Sequence, residues 1–158
     1  MKYYRISKYD PQYRIEGVYQ RDEWTSISDI GGEYDGRVFS EKEYYKVEKN
    51  YLDFVLGVWR CQGIDRLTVA ELENYKHLPY TNGQQLDVHG GCDFVKGCLR
   101  EKCWGRLVST GFVFWAGYDY YIHIGCTLPL DMVEQLARLR DLFVEEEQHW
   151  NQFEWDFE

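Results

Sequence analysis

The apolar positions along this chain change period several times, and each change marks an element. Residues 2–7, KYYRIS, are rich in strand formers and predict a first strand. A turn-rich excursion from Tyr9 to Phe39 follows, holding Pro11, Gly17, Gly31, Gly32 and Gly36. Within it, EWTSISDI (23–30) alternates around Trp24, Ser26 and Ser28, which suits a short strand with Trp24 as a core plug. Ser40-Glu41-Lys42-Glu43 reads as a capping box: the serine hydroxyl and the Glu43 carboxylate satisfy the first free amides of a helix. That helix carries Tyr44, Val47, Tyr51, Phe54, Val55 and Val58 at three- and four-residue steps, one apolar face, and Gly63 is its expected stop.

Arg66-Leu67-Thr68-Val69 suits a short strand or the lead into a brief helix at 70–76. The stretch 77–91, with Pro79, Asn82-Gly83 and Gly90-Gly91, reads as loop. A second helix is expected from about Asp93 to Leu107. GFVFWAGYDYYIHIG (111–125) has two aromatic and β-branched runs flanking Ala116-Gly117-Tyr118-Asp119, the signature of a β-hairpin. Pro129 suits the first turn of a further helix, with Val133, Leu136 and Leu139 as its inward stripe. Leu142-Phe143-Val144 would close the domain as a final strand. No internal repeat or dividing linker interrupts the pattern. The expected architecture is α+β: a single domain over 1–147, mainly an antiparallel sheet around the central β-hairpin 111-125, packed by three to four helices. An acidic and aromatic C-terminal extension, 148–158, follows it.

Charge changes this picture at one place. The chain has 27 acidic and 18 basic residues, a formal net charge of -9, and seven of its carboxylates lie in Asp141–Glu158, which has no lysine or arginine. Trp150, Phe153, Trp155 and Phe157 are threaded among those acids, whereas a purely solvating tail would have few aromatics. If extended, FEWDFE puts Phe153, Trp155 and Phe157 on one face and Glu154, Asp156 and Glu158 on the other. Such a strip suits docking on a basic partner, with aromatic anchors and carboxylates that steer. Glu145, Glu146 and Glu147 extend the acidic run towards the domain. The other reading is that the aromatics pad the domain's own sheet and leave a charged edge. Secondary candidates for a contact surface are Asp29, Glu33 and Asp35 in the glycine-rich loop, and Tyr118 and Asp119 at the hairpin tip.

The remaining composition mostly excludes. At 158 residues the chain is long enough for one real core without a disulfide or metal. No apolar run approaches the ~18–20 residues needed to span a bilayer, and MKYYRISKYD lacks a signal-peptide stretch, so a cytoplasmic protein with no membrane partner is expected. Five cysteines without a disulfide rhythm agree with a reducing compartment. Acidity argues against direct nucleic-acid binding; Lys96, Arg100, Lys102 and Arg106 form the best basic cluster, read as a solvated helix ridge. The heavy aromatic content is compatible with a homodimer through exposed aromatic edges.

Enzyme-like constellations are weak. Cys92, Cys98 and Cys103 match no common zinc spacing, and on one helix Cys98 and Cys103 would point about 140° apart, so no metal is expected. His89 and Cys92 in VHGGCD form the one local nucleophile-and-base pair, with a helix N-terminus available to lower the thiol's pKa. Nothing supplies an orienting third group. Asp29, Glu33 and Asp35 lack the oxygen-ligand pattern of a calcium loop, and no phosphate-binding glycine motif is present. No catalytic residue and no cofactor are assigned.

KYYRISKYDPQYR with DEWTSISDIG, the capped helix Ser40 to Gln62, CLREKCWGRL (98–107) and GYDYYIHIG (117–125) together resemble a family of small cytoplasmic proteins of Gram-positive bacteria. HWNQFEWDFE (149–158) lies outside the shared pattern. The resemblance implies an immunity-type protein that binds and silences a toxin, and it carries no catalytic residue with it. The expected function is therefore a non-enzymatic acidic inhibitor that neutralises a basic protein partner, a toxin or a nuclease. The alternatives are a phage-type anti-defence protein, such as an anti-CRISPR inhibitor occupying a nucleic-acid-binding groove, and a small enzyme using Cys92 and His89.

Overall fold

In the computed structural model, which describes residues 1–147, alternating side chains build a seven-stranded antiparallel sheet with one dry face and one polar-aromatic face. In chain order the strands are β1 (Lys2–Ser7), β2 (Arg14–Ile15), β3 (Val18–Tyr19), β4 (Glu33–Tyr34), β5 (Arg37–Val38), β6 (Leu67–Asn74), β7 (Gln85–Leu86), β8 (Cys103–Ser109), β9 (Phe112–Ala116), β10 (Ile122–Cys126) and β11 (Phe143–Glu146). The helices are α1 (Glu41–Gln62), α2 (Val88–Leu99) and α3 (Leu130–Arg138). The large sheet runs β11-β1-β10-β9-β8-β6-β7, and β2–β3 and β4–β5 are separate small hairpins. The expected α+β fold with a mainly antiparallel sheet is what the chain adopts.

Successive residues of a strand point to opposite faces. On one face Tyr4, Ile6, Leu67, Val69, Leu107, Phe112, Phe114, Ile122 and Ile124 are all fully buried. They form one cluster with Tyr51, Phe54, Val55, Val58 and Trp59 of α1, Phe94 and Val95 of α2, and Val133 and Ala137 of α3. Each such large side chain contributes about 1.5–3 kcal/mol relative to leaving it in water.

Helix α1 begins where the sequence places it: the Ser40 hydroxyl accepts from the Glu43 amide at 3.2 Å, and Glu41 and Glu43 face the positive end of the helix dipole. It ends at Gly63, whose φ of 68° is a left-handed cap that a Cβ would penalise. One residue on its buried stripe is charged. Glu48 accepts from Arg100 Nε at 2.8 Å and Nη2 at 2.7 Å, and from the Tyr44 hydroxyl at 2.7 Å. Arg100 caps α2, so this pair ties the end of α2 to the middle of α1.

Several local expectations are corrected. Residues 23–30 are not a strand; Ile27–Asp29 form a short 3-10 turn with a reciprocal cap between Ser26 and Asp29, because short polar side chains bond the nearby backbone before a ladder can form. Trp24 does plug the core, stacked on Phe39 at 4.3 Å. Strand β6 continues to Asn74 in place of the brief helix expected at 70–76, and an irregularity between Ala70 and Glu73 absorbs the mismatch. Loop 77–91 stops early, at β7. Helix α2 then starts at Val88, because Asp87 accepts from the Gly90 amide and so caps a glycine-rich first turn. It ends at Leu99 rather than Leu107, since residues 103–109 alternate into the sheet as β8. The basic ridge expected on that helix therefore does not exist: Arg100 pairs with Glu48, and Arg106 lies on β8 beside Glu71. In α3 the buried stripe turns through Val133 and Ala137, while Leu139 is 66% exposed. Pro129 is the N-cap residue, one position before the helix. Strand β11 reaches Glu146, so the first acids of the expected tail belong to the sheet.

Candidate functional site at the hairpin tip

The second face of the sheet carries a row of side chains in register across five strands: Glu145, Arg5, His123, Trp115 and Arg106. Neighbours in the row pair off. Arg5 meets Glu145 at 2.8 Å, the His123 ring stacks on Trp115 at 5.1 Å, and the Arg106 guanidinium lies 5.4 Å from the Trp115 ring. Arg106 reaches Glu71 at 2.8 Å, and His123 Nδ1 lies 3.1 Å from Glu147. A row of aromatics and charges in place of aliphatics leaves this face suited to polar contact rather than to a helix.

Where β9 turns into β10 the backbone is held in an uncommon shape. Asp119 and Tyr120 have φ values of 56° and 65°, a left-handed pair that matches the twist of a hairpin but is costly for a bulky aromatic. Three tyrosines secure it. Tyr9 donates to the Asp119 carbonyl at 2.7 Å, Tyr51 donates to the Tyr120 carbonyl at 2.9 Å, and the Tyr120 hydroxyl donates to that of Tyr44 at 3.1 Å. Burial pushes the phenols of Tyr9, Tyr51 and Tyr120 well above their ordinary pKa, so each remains a donor. The tip is thus built on a buried aromatic platform, while Tyr118 at its end is 93% exposed. Gly117 opens it further, because a Cβ there would lie 2.6 Å from His123 Nε2.

Around this tip runs a groove of about 740 Å³. Its aromatic wall is Tyr75, Trp104, Trp115, Tyr118, Tyr120 and Tyr121; Thr25, Ser26, Cys98, Cys103 and His123 also line it. Three carboxylates, Glu73, Glu101 and Asp119, face it, and no lysine or arginine does. Among the described residues no cation pairs with any of the three. Glu73 accepts from the Tyr75 hydroxyl at 2.5 Å, which with burial raises that phenol to about 12, and Glu101 accepts from Ser26 at 3.2 Å. The Trp104 indole donates to the Ala116 carbonyl at 2.7 Å, which fixes its ring beside the tip. Trp115 already carries the Arg106 guanidinium, and Tyr121 those of Arg5 at 4.9 Å and Arg14 at 5.4 Å, so Tyr75, Trp104 and Tyr118 are the rings that, with the three acids, can receive an incoming cationic group through charge pairing and cation–π contact.

Of the residues singled out in the sequence, Tyr118 and Asp119 lie at this groove. Glu145 is engaged within the protein by Arg5 and by Arg14, the latter at 3.0 Å; Glu146 lies 3.9 Å from Lys2, and Glu147 meets His123. Asp29 caps the 3-10 turn, accepting from the Thr25 and Ser26 amides, Glu33 pairs in β4, and Asp35 lies 3.5 Å from Arg21. Trp150, Phe153, Glu154, Trp155, Asp156, Phe157 and Glu158 lie outside the described residues. His89 and Cys92 fall inside α2 rather than in a loop. Burial, helped by Asp93, pushes the Cys92 thiol up, the reverse of the lowering expected from a helix N-terminus. Among the described residues no cluster of three or more His, Cys, Asp or Glu side chains could hold a metal ion, and no helix is long and apolar enough to cross a membrane.

Glu73, Tyr75, Glu101 and Trp104 were not singled out in the sequence. A helix drawn across 93–107 hides the reversal that brings β8 beside β9, and with it the only signal that these residues meet the hairpin tip. The chain matches no protein family and no curated protein, and no solved structure matches its fold.

Proposed function

We propose that the protein is a non-enzymatic binding protein that takes a lysine- or arginine-rich segment of a partner protein into the hairpin-tip groove and so blocks that partner. The observation that carries this reading is the lining of the groove: three carboxylates with no cationic partner among the described residues, beside six aromatic rings, with no lysine or arginine in that lining. The net charge of -9 steers a basic partner to the molecule, and the groove supplies the local recognition. The acidic and aromatic extension 148–158 acts as a second contact on the same partner. An immunity-type role against a toxin or nuclease with a basic cleft, exerted in the cytoplasm, fits this chemistry.

The test is capture of a partner by the full chain, by a chain ending at Glu147, and by a Glu73→Gln, Glu101→Gln, Asp119→Asn variant. Each replacement keeps shape, and Asn tolerates the left-handed backbone at 119. The reading predicts a basic protein that high salt releases and that the triple variant fails to hold, while truncation only weakens capture. Undiminished capture by the triple variant removes the groove from the interaction.

A further inference from the structure

We infer that Cys98 and Cys103 form a reversible redox site, closing to a disulfide when a hydroperoxide enters the hairpin-tip groove. The pair is made by a chain reversal. Helix α2 ends at Leu99, the Lys102 amide returns to the Gly97 carbonyl at 2.9 Å, and the Glu101 amide to the Cys98 carbonyl at 3.0 Å. This fold-back lays the first residue of β8 against the last turn of α2. The two sulfurs sit 3.8 Å apart, and a Cβ on Gly97 would be only 3.3 Å from Cys103 Sγ. A disulfide requires about 2.05 Å, so the sulfurs have to approach by about 1.8 Å.

Three further features separate this pair from ordinary buried cysteines. Both residues line the groove, so a small solute can reach them although each is nearly buried. The other three cysteines are apart from the pair: Cys61 is exposed, Cys92 half-buried in α2, and Cys126 buried on β10. A hydrogen bond also links the two thiols, and either sulfur can be its donor.

The chemistry balances with one peroxide. One sulfur of the pair, as its thiolate, attacks hydrogen peroxide, an S–O bond forms as the O–O bond breaks, and the departing hydroxide takes a proton to become water. The other thiol, losing its proton, then attacks the sulfenic sulfur, the S–S bond forms as the S–O bond breaks, and a second water leaves. Two thiols are oxidised and the peroxide is reduced to two waters; any small dithiol reverses the step.

Trypsin makes the product readable, because Lys96, Arg100, Lys102 and Arg106 isolate each cysteine in its own four-residue peptide, 97–100 and 103–106. The full-length protein is treated with hydrogen peroxide, the remaining thiols are alkylated, and the digest is read without reductant. The inference predicts loss of both alkylated peptides and a joined species lighter than their sum by two hydrogens, which dithiothreitol splits. Recovery of both peptides alkylated, or a joined peptide containing Cys61 instead, overturns it. In Cys98→Ser or in Cys103→Ser the sulfenic acid should be trapped by dimedone on the peptide of the remaining cysteine, 103–106 or 97–100, and absence of the adduct from both variants overturns the peroxide route.

Discussion

Removing the hydroxyl of Tyr51 should loosen the platform under the hairpin tip more than any single polar deletion elsewhere in it. Tyr51 is fully buried, donates to the Tyr120 carbonyl at 2.9 Å and accepts from the Lys8 amide at 2.8 Å. Tyr51→Phe keeps the ring and strands one backbone acceptor and one backbone donor. A buried polar group deprived of its partner costs about 1–3 kcal/mol. The Lys8 amide is only partly buried and recovers some of its loss from water, so the two together should cost about 2–4 kcal/mol. For a chain of this size that corresponds to a fall in Tm of roughly 5–15 °C. Urea denaturation followed by far-UV circular dichroism measures it, with an unchanged slope expected because the unfolded surface is the same. Tyr118→Phe, at a side chain 93% exposed, is the matched control and should stay within about 0.5 kcal/mol of the parent. A Tyr51→Phe loss as small as that of the control would refute the view that buried hydroxyls hold the left-handed Asp119-Tyr120 pair in place.

Two further outcomes concern charges inside the fold. Arg100→Met leaves the Glu48 carboxylate with Tyr44 as its remaining donor among the described residues in a buried setting, and should cost about 3–5 kcal/mol in urea. Replacing both partners, Glu48→Leu with Arg100→Met, should recover most of that loss, and strict additivity in this cycle would contradict the pairing. Lys8, with its ammonium 4.2 Å from the rings of Tyr9 and Trp24, has its pKa lowered to about 8 by burial, against the opposing pull of Glu23. Its folded pKa lies below the unfolded value near 10.5, so between these pH values the unfolded chain binds more protons and the Lys8 contribution to stability rises with pH. The rise amounts to at most about 3 kcal/mol. Above about pH 10 it is offset as unfolded tyrosines ionise before the buried ones. Stability measured at pH 7 and pH 9.5 should therefore increase for the parent relative to Lys8→Met; a constant difference would contradict it.

The sequence reading succeeded where one local signal sufficed. The serine cap and apolar steps of α1, the aromatic hairpin of β9 and β10, and the alternation of β1 each have the same local and tertiary preference. It failed where two signals compete. CLREKCWGRL has helix-forming charges and a strand's alternating tail, and the dry slot between β9 and β6 decides for strand from Cys103 onward. A continuous helix there would point Cys98 and Cys103 apart, whereas the chain reversal brings them to 3.8 Å. The same error concealed Glu101 and Trp104 as neighbours of the hairpin tip, while Tyr118 and Asp119 were legible because a tight turn needs only its own residues. The acids of 145–147 read as free because their arginine and histidine partners lie more than twenty residues away in sequence.

A titration of the isotopically labelled protein with an arginine-rich peptide, followed by backbone amide shifts at low and at high salt, addresses the groove directly. Binding at the groove predicts salt-sensitive shifts concentrated at residues 101–104 and 115–123, with the Trp104 indole signal among those that move most, and their loss in the Glu73→Gln, Glu101→Gln, Asp119→Asn variant. Shifts centred elsewhere, or equal shifts in that variant, would contradict the assignment of the groove as the binding site.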